Sequence, residues 1–338
     1  FNYRGHKSFN RNVIGSGCVM SLFKDRERNL WIGTDNDGVY RIDKNGISTH
    51  YKTGNQKDAV PNTVLSIIED NEGNIWLGSY LKGLAMLDKR TGKCTYYDHY
   101  DFVTEDNNTA RNKIFSLTKD KQNRLWIGTS GAGVYVFDLE KRKYINHYSQ
   151  TINGKYNIPN YWINFVMYDS QGIIWIGSYI GILTLNPANG EKKHYTTDYS
   201  ILPGNVVYYI SEANNGEIWI GTTEGMARFN RKTNASQHFT TENGLPSNVI
   251  CSILEDEDGN KWISTHSGIS KFNIRENKFI NYYAFDGLQG NEFSLAAAFK
   301  SEKGEMFFGG INGISSFLPS EINVQRVPMD LHTTALYV

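Results

Sequence analysis

The chain has little cysteine, no surplus of either charge and no long apolar run. Its three cysteines, Cys18, Cys94 and Cys251, are an odd number without a CxxC pair, so neither a disulfide framework nor a thiolate metal site is expected. Cys18 and Cys251 fall in apolar, strand-like segments, where a free cysteine behaves as a small buried hydrophobe. Lys and Arg number 35 and Asp and Glu number 35, giving a formal net charge of 0. Nothing therefore draws the molecule toward nucleic acid or an anionic membrane, and no nucleic-acid contact is expected. No stretch approaches the roughly 18 apolar residues of a membrane-spanning helix. Phe1-Asn2-Tyr3-Arg4 opens no signal-peptide core. That second absence says little, because the sequence reads as a piece of a longer protein. Disorder is excluded by 17 Phe, 21 Tyr and 7 Trp, 13% of the chain.

What is present is a repeat. Leu30-Trp31-Ile32-Gly33-Thr34 recurs as Ile75-Trp76-Leu77-Gly78-Ser79, Leu125-Trp126-Ile127-Gly128-Thr129, Ile174-Trp175-Ile176-Gly177-Ser178 and Ile218-Trp219-Ile220-Gly221-Thr222. Lys261-Trp262-Ile263-Ser264-Thr265 is a weaker copy and Met306-Phe307-Phe308-Gly309-Gly310 a degenerate one. Successive aromatics lie 45, 50, 49, 44, 43 and 45 residues apart. Each copy holds four short apolar runs separated by Gly, Asn and Asp, which read as strands joined by tight turns. Four-stranded units of this length, repeated seven times, predict an all-β chain: a seven-bladed β-propeller of antiparallel blades over residues 1–322. The repeated aromatic suits packing between blades, and the Gly two residues on suits close approach of the next blade. The last copy supplies only three runs before Leu318-Pro319, so residues 1–3 are expected to close blade seven as a clasp. Residues 323–338 are expected to form a linker and the first strand of a following domain.

The pattern Asp-x-x-Gly-x-(Leu/Ile)-Trp-(Ile/Leu)-Gly-(Thr/Ser), over about residues 13–322, resembles the two-component regulator propeller repeat. The resemblance implies the extracytoplasmic sensor region of a hybrid two-component system of Bacteroidetes: two propellers, a Tyr-rich immunoglobulin-like domain, a membrane helix and a histidine kinase. Gly287-Leu288-Gln289-Gly290-Asn291-Glu292-Phe293 and Phe317-Leu318-Pro319-Ser320-Glu321 resemble the final repeat of such a region, so the chain would be the second propeller, with the truncated immunoglobulin-like domain starting in 323–338. It would lie in the periplasm as part of an inner-membrane protein, sense oligosaccharides released from glycans and regulate transcription through the kinase. An adjacent propeller, the immunoglobulin-like domain and a second copy of the full-length chain would be its partners.

No GxSxG, HExxH or P-loop is present, so this segment is read as no enzyme, without cofactor or metal. His50, His147, His194 and His238 each precede an aromatic in a fourth run, a repeat position rather than a converging ligand set. Binding residues are expected where the turns between second and third strands and the blade-to-blade connections share one face. Those turns hold three residues in the first three copies and two in the last four, which makes the face asymmetric. Sugars suit aromatic plates beside a few polar groups. The candidates are Asn36, Asp37, Tyr80, Lys82, Trp162, Tyr179, Glu224, His266 and Asn312. Two other readings stay open: a protein-interaction or dimerisation scaffold whose ligand binds elsewhere, and a polysaccharide lyase or glycosidase carried on a propeller.

Overall fold

Apolar runs of four to six residues, cut by turns that need left-handed backbone at Gly or Asn, leave no length for a helix of several turns. The computed structural model describes residues 7–9, 14, 15, 18–97, 109–150, 157–159, 162–199 and 201–322. They form 28 strands in seven separate four-stranded antiparallel sheets, so the chain is an all-β, seven-bladed propeller. Blade one runs β2 (Val19–Lys24), β3 (Leu30–Thr34), β4 (Val39–Ile42), β5 (Ser48–Tyr51). Blades two to six begin with β6 (Val64–Glu69), β10 (Ile114–Lys119), β14 (Ile163–Tyr168), β18 (Val207–Glu212) and β22 (Ile250–Glu255). Each of these first strands touches the first strands of both neighbouring blades, and β26 (Phe293–Lys300) touches β2, which closes the ring. First strands therefore line the axis.

Blade seven pairs β26 with β27 (Met306–Gly310), β27 with β28 (Gly313–Phe317), and β28 with β1, the segment Lys7–Phe9 from the other end of the chain. A clasp exists, but residues 7–9 make it, with Lys7 opposite Ser316 and Phe9 opposite Ile314. Residues 1–3, expected there from sequence, lie outside the described residues, as do 323–338. The free edge of β28 takes one partner strand, and residues 7–9 hold it. Phe9 and Val19 then bracket nine residues, beside ten to sixteen in the other connections of the ring.

The repeated aromatic is buried in the seam toward the next blade. Trp31 packs with Val64, Ile67 and Leu77 of blade two; Trp76 with Ile114, Leu125 and Ile127 of blade three. Phe307 completes the circle against Val19 and Ile32. All six repeat tryptophans are at most 2% exposed. Truncating such a side chain to Ala costs about 3–5 kcal/mol. The glycine two residues on is explained by the same seam: a Cβ on Gly128 would stand 2.8 Å from Ile163 Cγ2, and one on Gly78 2.7 Å from Ile114 Cγ2. Blade six carries Ser264 instead, and its hydroxyl lies 2.6 Å from that of Ser252 on its own blade.

An aspartate six residues before the tryptophan ties turn to seam. Asp25, Asp70, Asp120, Asp169 and Asp256 each accept a hydrogen bond from the indole Nε1 of their own blade at 2.7–3.0 Å. In Asp70 the other oxygen accepts the backbone N–H groups of Glu72 and Asn74, both at 2.9 Å. One carboxylate thus shapes the hairpin and satisfies a buried donor. Blade five breaks the rule: Ala213 stands in that position, and the buried Trp219 Nε1 has no hydrogen-bond partner.

Candidate axial binding site

The first strands carry an irregularity at one repeat position. In β2 the pairing passes from Val19 opposite Thr34 to Ser21 opposite Gly33, so Met20 is an extra residue. The same bulge extrudes Leu65, Phe115, Asn164, Tyr208 and Cys251 in the next five blades. A bulge re-aims the extra side chain, here toward the axis. Met20, Leu65, Phe115, Asn164 and Tyr208 all line one cavity of about 320 Å³. Cys251 is fully buried instead, its Sγ 3.3 Å from the Phe293 carbonyl oxygen.

Blade seven exaggerates the device. Its pairing jumps from Phe293 opposite Gly310 to Ala298 opposite Phe308, leaving four residues where other blades leave one. Ala296 adopts a left-handed φ of 57°, a costly conformation for a residue with a Cβ. The swollen strand supplies Phe293, Ser294, Leu295 and Ala296 to the cavity. Ala296 also packs against the cluster that holds Tyr209 and Trp219, and β26 touches β18 of a non-adjacent blade. The bulge therefore obstructs the axial channel.

Turns complete the lip. Tyr179, His266 and Ile311 come from the two-residue turns of blades four, six and seven, and Glu292 from the connection into β26. No lining residue comes from the three-residue turns of blades one to three. The wall has two characters. Met20, Leu65 and Phe115 make it apolar over blades one to three, while Asn164, Tyr179, Tyr208, His266, Glu292 and Ser294 gather on blades four to seven. Asn164 donates from Nδ2 to the Val207 carbonyl at 3.1 Å, which fixes its side chain. Burial pushes the Tyr208 phenol above its ordinary range, with Tyr179 and Cys251 adding to the shift, so it serves as a neutral hydroxyl. Cys18, at the cavity and only half-buried, stays a thiol: burial raises its pKa, a contact 3.3 Å from the Ser294 hydroxyl opposes this, and Asp35 and Glu292 raise it further. The sequence reading expected a small buried hydrophobe there, and Cys18 is instead part-exposed at the cavity.

Of the residues expected from sequence, Tyr179 and His266 line the cavity. Trp162 and Tyr80 stand beside it. The Trp162 ring lies 6.0 Å from Tyr179, and the Tyr80 ring 6.3 Å from the lining Phe115, with Lys113 Nζ 5.5 Å from the centre of the Tyr80 ring. Asp37 is tied outward to its own blade, accepting the Tyr40 hydroxyl at 2.6 Å and facing His50. Its neighbour Asn36 has a φ of 63° and donates its N–H toward Thr63. Lys82 Nζ sits 5.6 Å over Tyr96. Glu224 packs beside Gly204, and the Asn312 N–H meets Gln289 Oε1 at 2.9 Å. Three of the four repeat histidines share a role: His50, His147 and His194 each lie 2.6–3.0 Å from the carbonyl of the residue before the turn glycine, whereas the buried Nε2 of His238 has no hydrogen-bond partner.

The residues missed from sequence were the bulge positions. Each lies eleven residues before the repeat aromatic, at 20, 65, 115, 164, 208, 251 and 296, and reads Met, Leu, Phe, Asn, Tyr, Cys, Ala. The position before it reads Val, Val, Ile, Ile, Val, Ile in the first six copies. Variation at one place in an otherwise regular repeat was the available signal.

Among the described residues, no group of three or more His, Cys, Asp or Glu is placed to hold a metal ion. No helix there is long and apolar enough to cross a membrane.

The two-component regulator propeller family matches residues 14–36, 60–81, 110–131, 201–224 and 244–267. The extracellular domain of the hybrid two-component system BT3049 from B. thetaiotaomicron is 27% identical with a TM-score of 0.80, over 93% of this chain and 41% of that one. The extracellular domain of BT4673 from B. thetaiotaomicron is 21% identical with a TM-score of 0.75, over 94% and 43%. The chain thus spans about two fifths of these extracellular domains. Virginiamycin B lyase from Staphylococcus aureus, 13% identical with a TM-score of 0.69 over 92% and 98%, shares the fold. A comparison with curated proteins finds no match. The chain is a seven-bladed propeller carrying two-component regulator propeller repeats, and it is similar to part of the extracellular domain of a hybrid two-component system.

Proposed function

We propose that this propeller is the ligand-reading part of an extracytoplasmic sensor, taking a glycan-derived oligosaccharide in its axial cavity and relaying occupancy to a histidine kinase across the membrane. One observation carries the reading. A regular repeat varies at the bulge position, and six of its seven bulges send Met20, Leu65, Phe115, Asn164, Tyr208 and Ala296 into a single cavity of about 320 Å³. Packing alone needs no such divergence, whereas an asymmetric ligand does. The mixed wall, apolar on one side with a few placed polar groups on the other, is the composition expected of a small-molecule site. The test is calorimetric titration of the chain with pools of glycan-derived oligosaccharides. Saturable heat is expected, weakened about tenfold or more by Tyr208→Phe combined with His266→Ala. A silent titration with every pool, for a chain that melts normally, would overturn it.

A second reading has its own support. Tyr80, Leu81, Trp162, Tyr179, Ile180 and Ile311 are each at least 40% exposed, and all stand on the face that carries the cavity mouth. Exposed apolar groups gathered on one side suit a protein interface. In that case the face docks a neighbouring part of the longer protein and the ligand binds elsewhere. A silent titration, together with self-association or domain docking lost on Leu81→Lys and Ile180→Lys, would favour it.

A further inference from the structure

From the charges of the cavity wall we infer the class of ligand: an uncharged molecule that lays an apolar face on blades one to three and presents hydroxyls to blades four to seven, with polyanionic glycans turned away. The inference rests on the axial site proposed above. Among the described residues that line the cavity there is no Lys or Arg, and Glu292 is the one carboxylate. Its field reaches inward, since it opposes ionisation of both the Cys18 and Cys251 thiols, and Asp35 adds to it at Cys18. Two cations of the same face are held outside the wall, Lys113 over the Tyr80 ring and Lys82 over the Tyr96 ring.

Sulfate and carboxylate groups are bound by guanidinium forks, ammonium groups or clustered backbone N–H donors. Among the described residues the wall offers none of the first two, and Glu292 adds a like charge to it. An anionic sugar entering here would lose water without gaining a counter-charge. A neutral sugar meets no such penalty. Its C–H face can rest on Phe115, Leu65 and Met20, while its hydroxyls meet the Asn164 amide, the neutral Tyr208 phenol, Ser294 and His266. Methionine in such a wall adapts to the shape it contacts.

The experiment is titration of the chain at pH 8, where imidazole in general is uncharged, with two sets of probes. One set is neutral manno- and xylo-oligosaccharides. The other is chondroitin sulfate disaccharides and oligogalacturonides. Each titration is repeated on Tyr208→Phe and Asn164→Ala, with a thermal melt to show that both variants fold. Saturable binding of a neutral probe, weakened about tenfold by either variant, with the acidic probes at least about a hundredfold weaker, is the expected result. Tight binding of an acidic probe that the same variants weaken would overturn the charge inference and leave the axial site standing. No binding by any probe, or binding that neither variant alters, would overturn the axial site itself and this inference with it.

Discussion

At the level of single residues, the Asp–Trp pair explains more of the repeat than the tryptophan does. The indole is buried in a seam where its N–H has no water, and a donor left so costs about 1–3 kcal/mol. Five blades solve this with the aspartate that also forms the turn. Blade five has Ala213, and there Trp219 meets Lys261 Nζ at 4.9 Å over its ring and Arg228 at 5.9 Å, cation contacts that do not accept its proton. Restoring the carboxylate should therefore help, provided the neighbouring Glu217 does not repel it. The position of Glu217, four after the aspartate, is Asn29, Asn74 and Asn260 in three other blades, where the amide Nδ2 donates to the aspartate. Glu217 is itself paired with Arg228 at 2.9 Å, so Glu217→Asn breaks that pair while it removes the repulsion. Ala213→Asp is expected to gain about 1 kcal/mol and raise the melting temperature by about 2 °C, and adding Glu217→Asn should give back part of that gain. A thermal melt of both checks this, and an Ala213→Asp variant no more stable than the parent would refute the account. The six-residue spacing from Asp to Trp was visible in the sequence; that it closes a hydrogen bond was not, because turn and indole meet only once the first two strands pair.

At the level of strands, the regular parts were legible and the irregular parts were not. Runs such as Val64-Leu65-Ser66-Ile67-Ile68 announce a strand by composition. A bulge is a mismatch between two strands, so neither strand states it; only the pairing of Val64 with Ser79 and Ser66 with Gly78 isolates Leu65. Tyr179 and His266 were found because turns advertise themselves, whereas Asn164 and Tyr208 were hidden inside apolar strands. The clasp shows the same limit. That blade seven lacked a fourth run was plain after Phe317, but a three-residue strand bears too little pattern to be placed, and β1 lies at 7–9. Its role is measurable. Removing residues 1–9 leaves the edge of β28 unpaired and opens the ring, so the melting temperature should fall by several degrees. Removing only residues 1–3 should leave it within about 1 °C, because β1 remains. Equal losses from both deletions would place the closing contact nearer the terminus than the pairing of Lys7 with Ser316 allows.

For the whole molecule, closure into a ring makes each seam depend on the next. Open repeat arrays fray from their ends, but here the last blade is completed from both ends of the chain and every first strand has two neighbours. Seam carboxylates then become global controls. Glu212, the last residue of β18, accepts the Ser170 N–H and hydroxyl of the preceding blade, both at 2.7 Å, and pairs with Arg231. Burial alone would raise its pKa, but the Ser170 and Arg231 bonds outweigh it and hold the carboxyl below its ordinary 4.5. Burial likewise would raise Asp70, while bonds from Trp76, Asn74 and Glu72 keep it below 3.8. Because both folded values are depressed, the unfolded chain takes up protons first as pH falls. The stability these groups supply is complete above about pH 5.5 and is lost progressively as the pH drops through 4.5 and 3.8 toward the folded values. Burial also holds the His147 imidazole below its ordinary 6.5, so the melting temperature should begin to fall as the pH drops through about 6.5 and decline more steeply below about pH 5.5, as one transition rather than two. Glu212→Gln should lower the plateau and flatten the decline, since a neutral amide keeps part of the Ser170 bonding and no longer titrates. Glu212 and Asp70 lie at turns between first and second strands, on the face opposite the cavity, so acid should weaken ligand binding only as the whole ring melts. A binding loss that precedes the melt would mean that the cavity and the far seams are not one cooperative body.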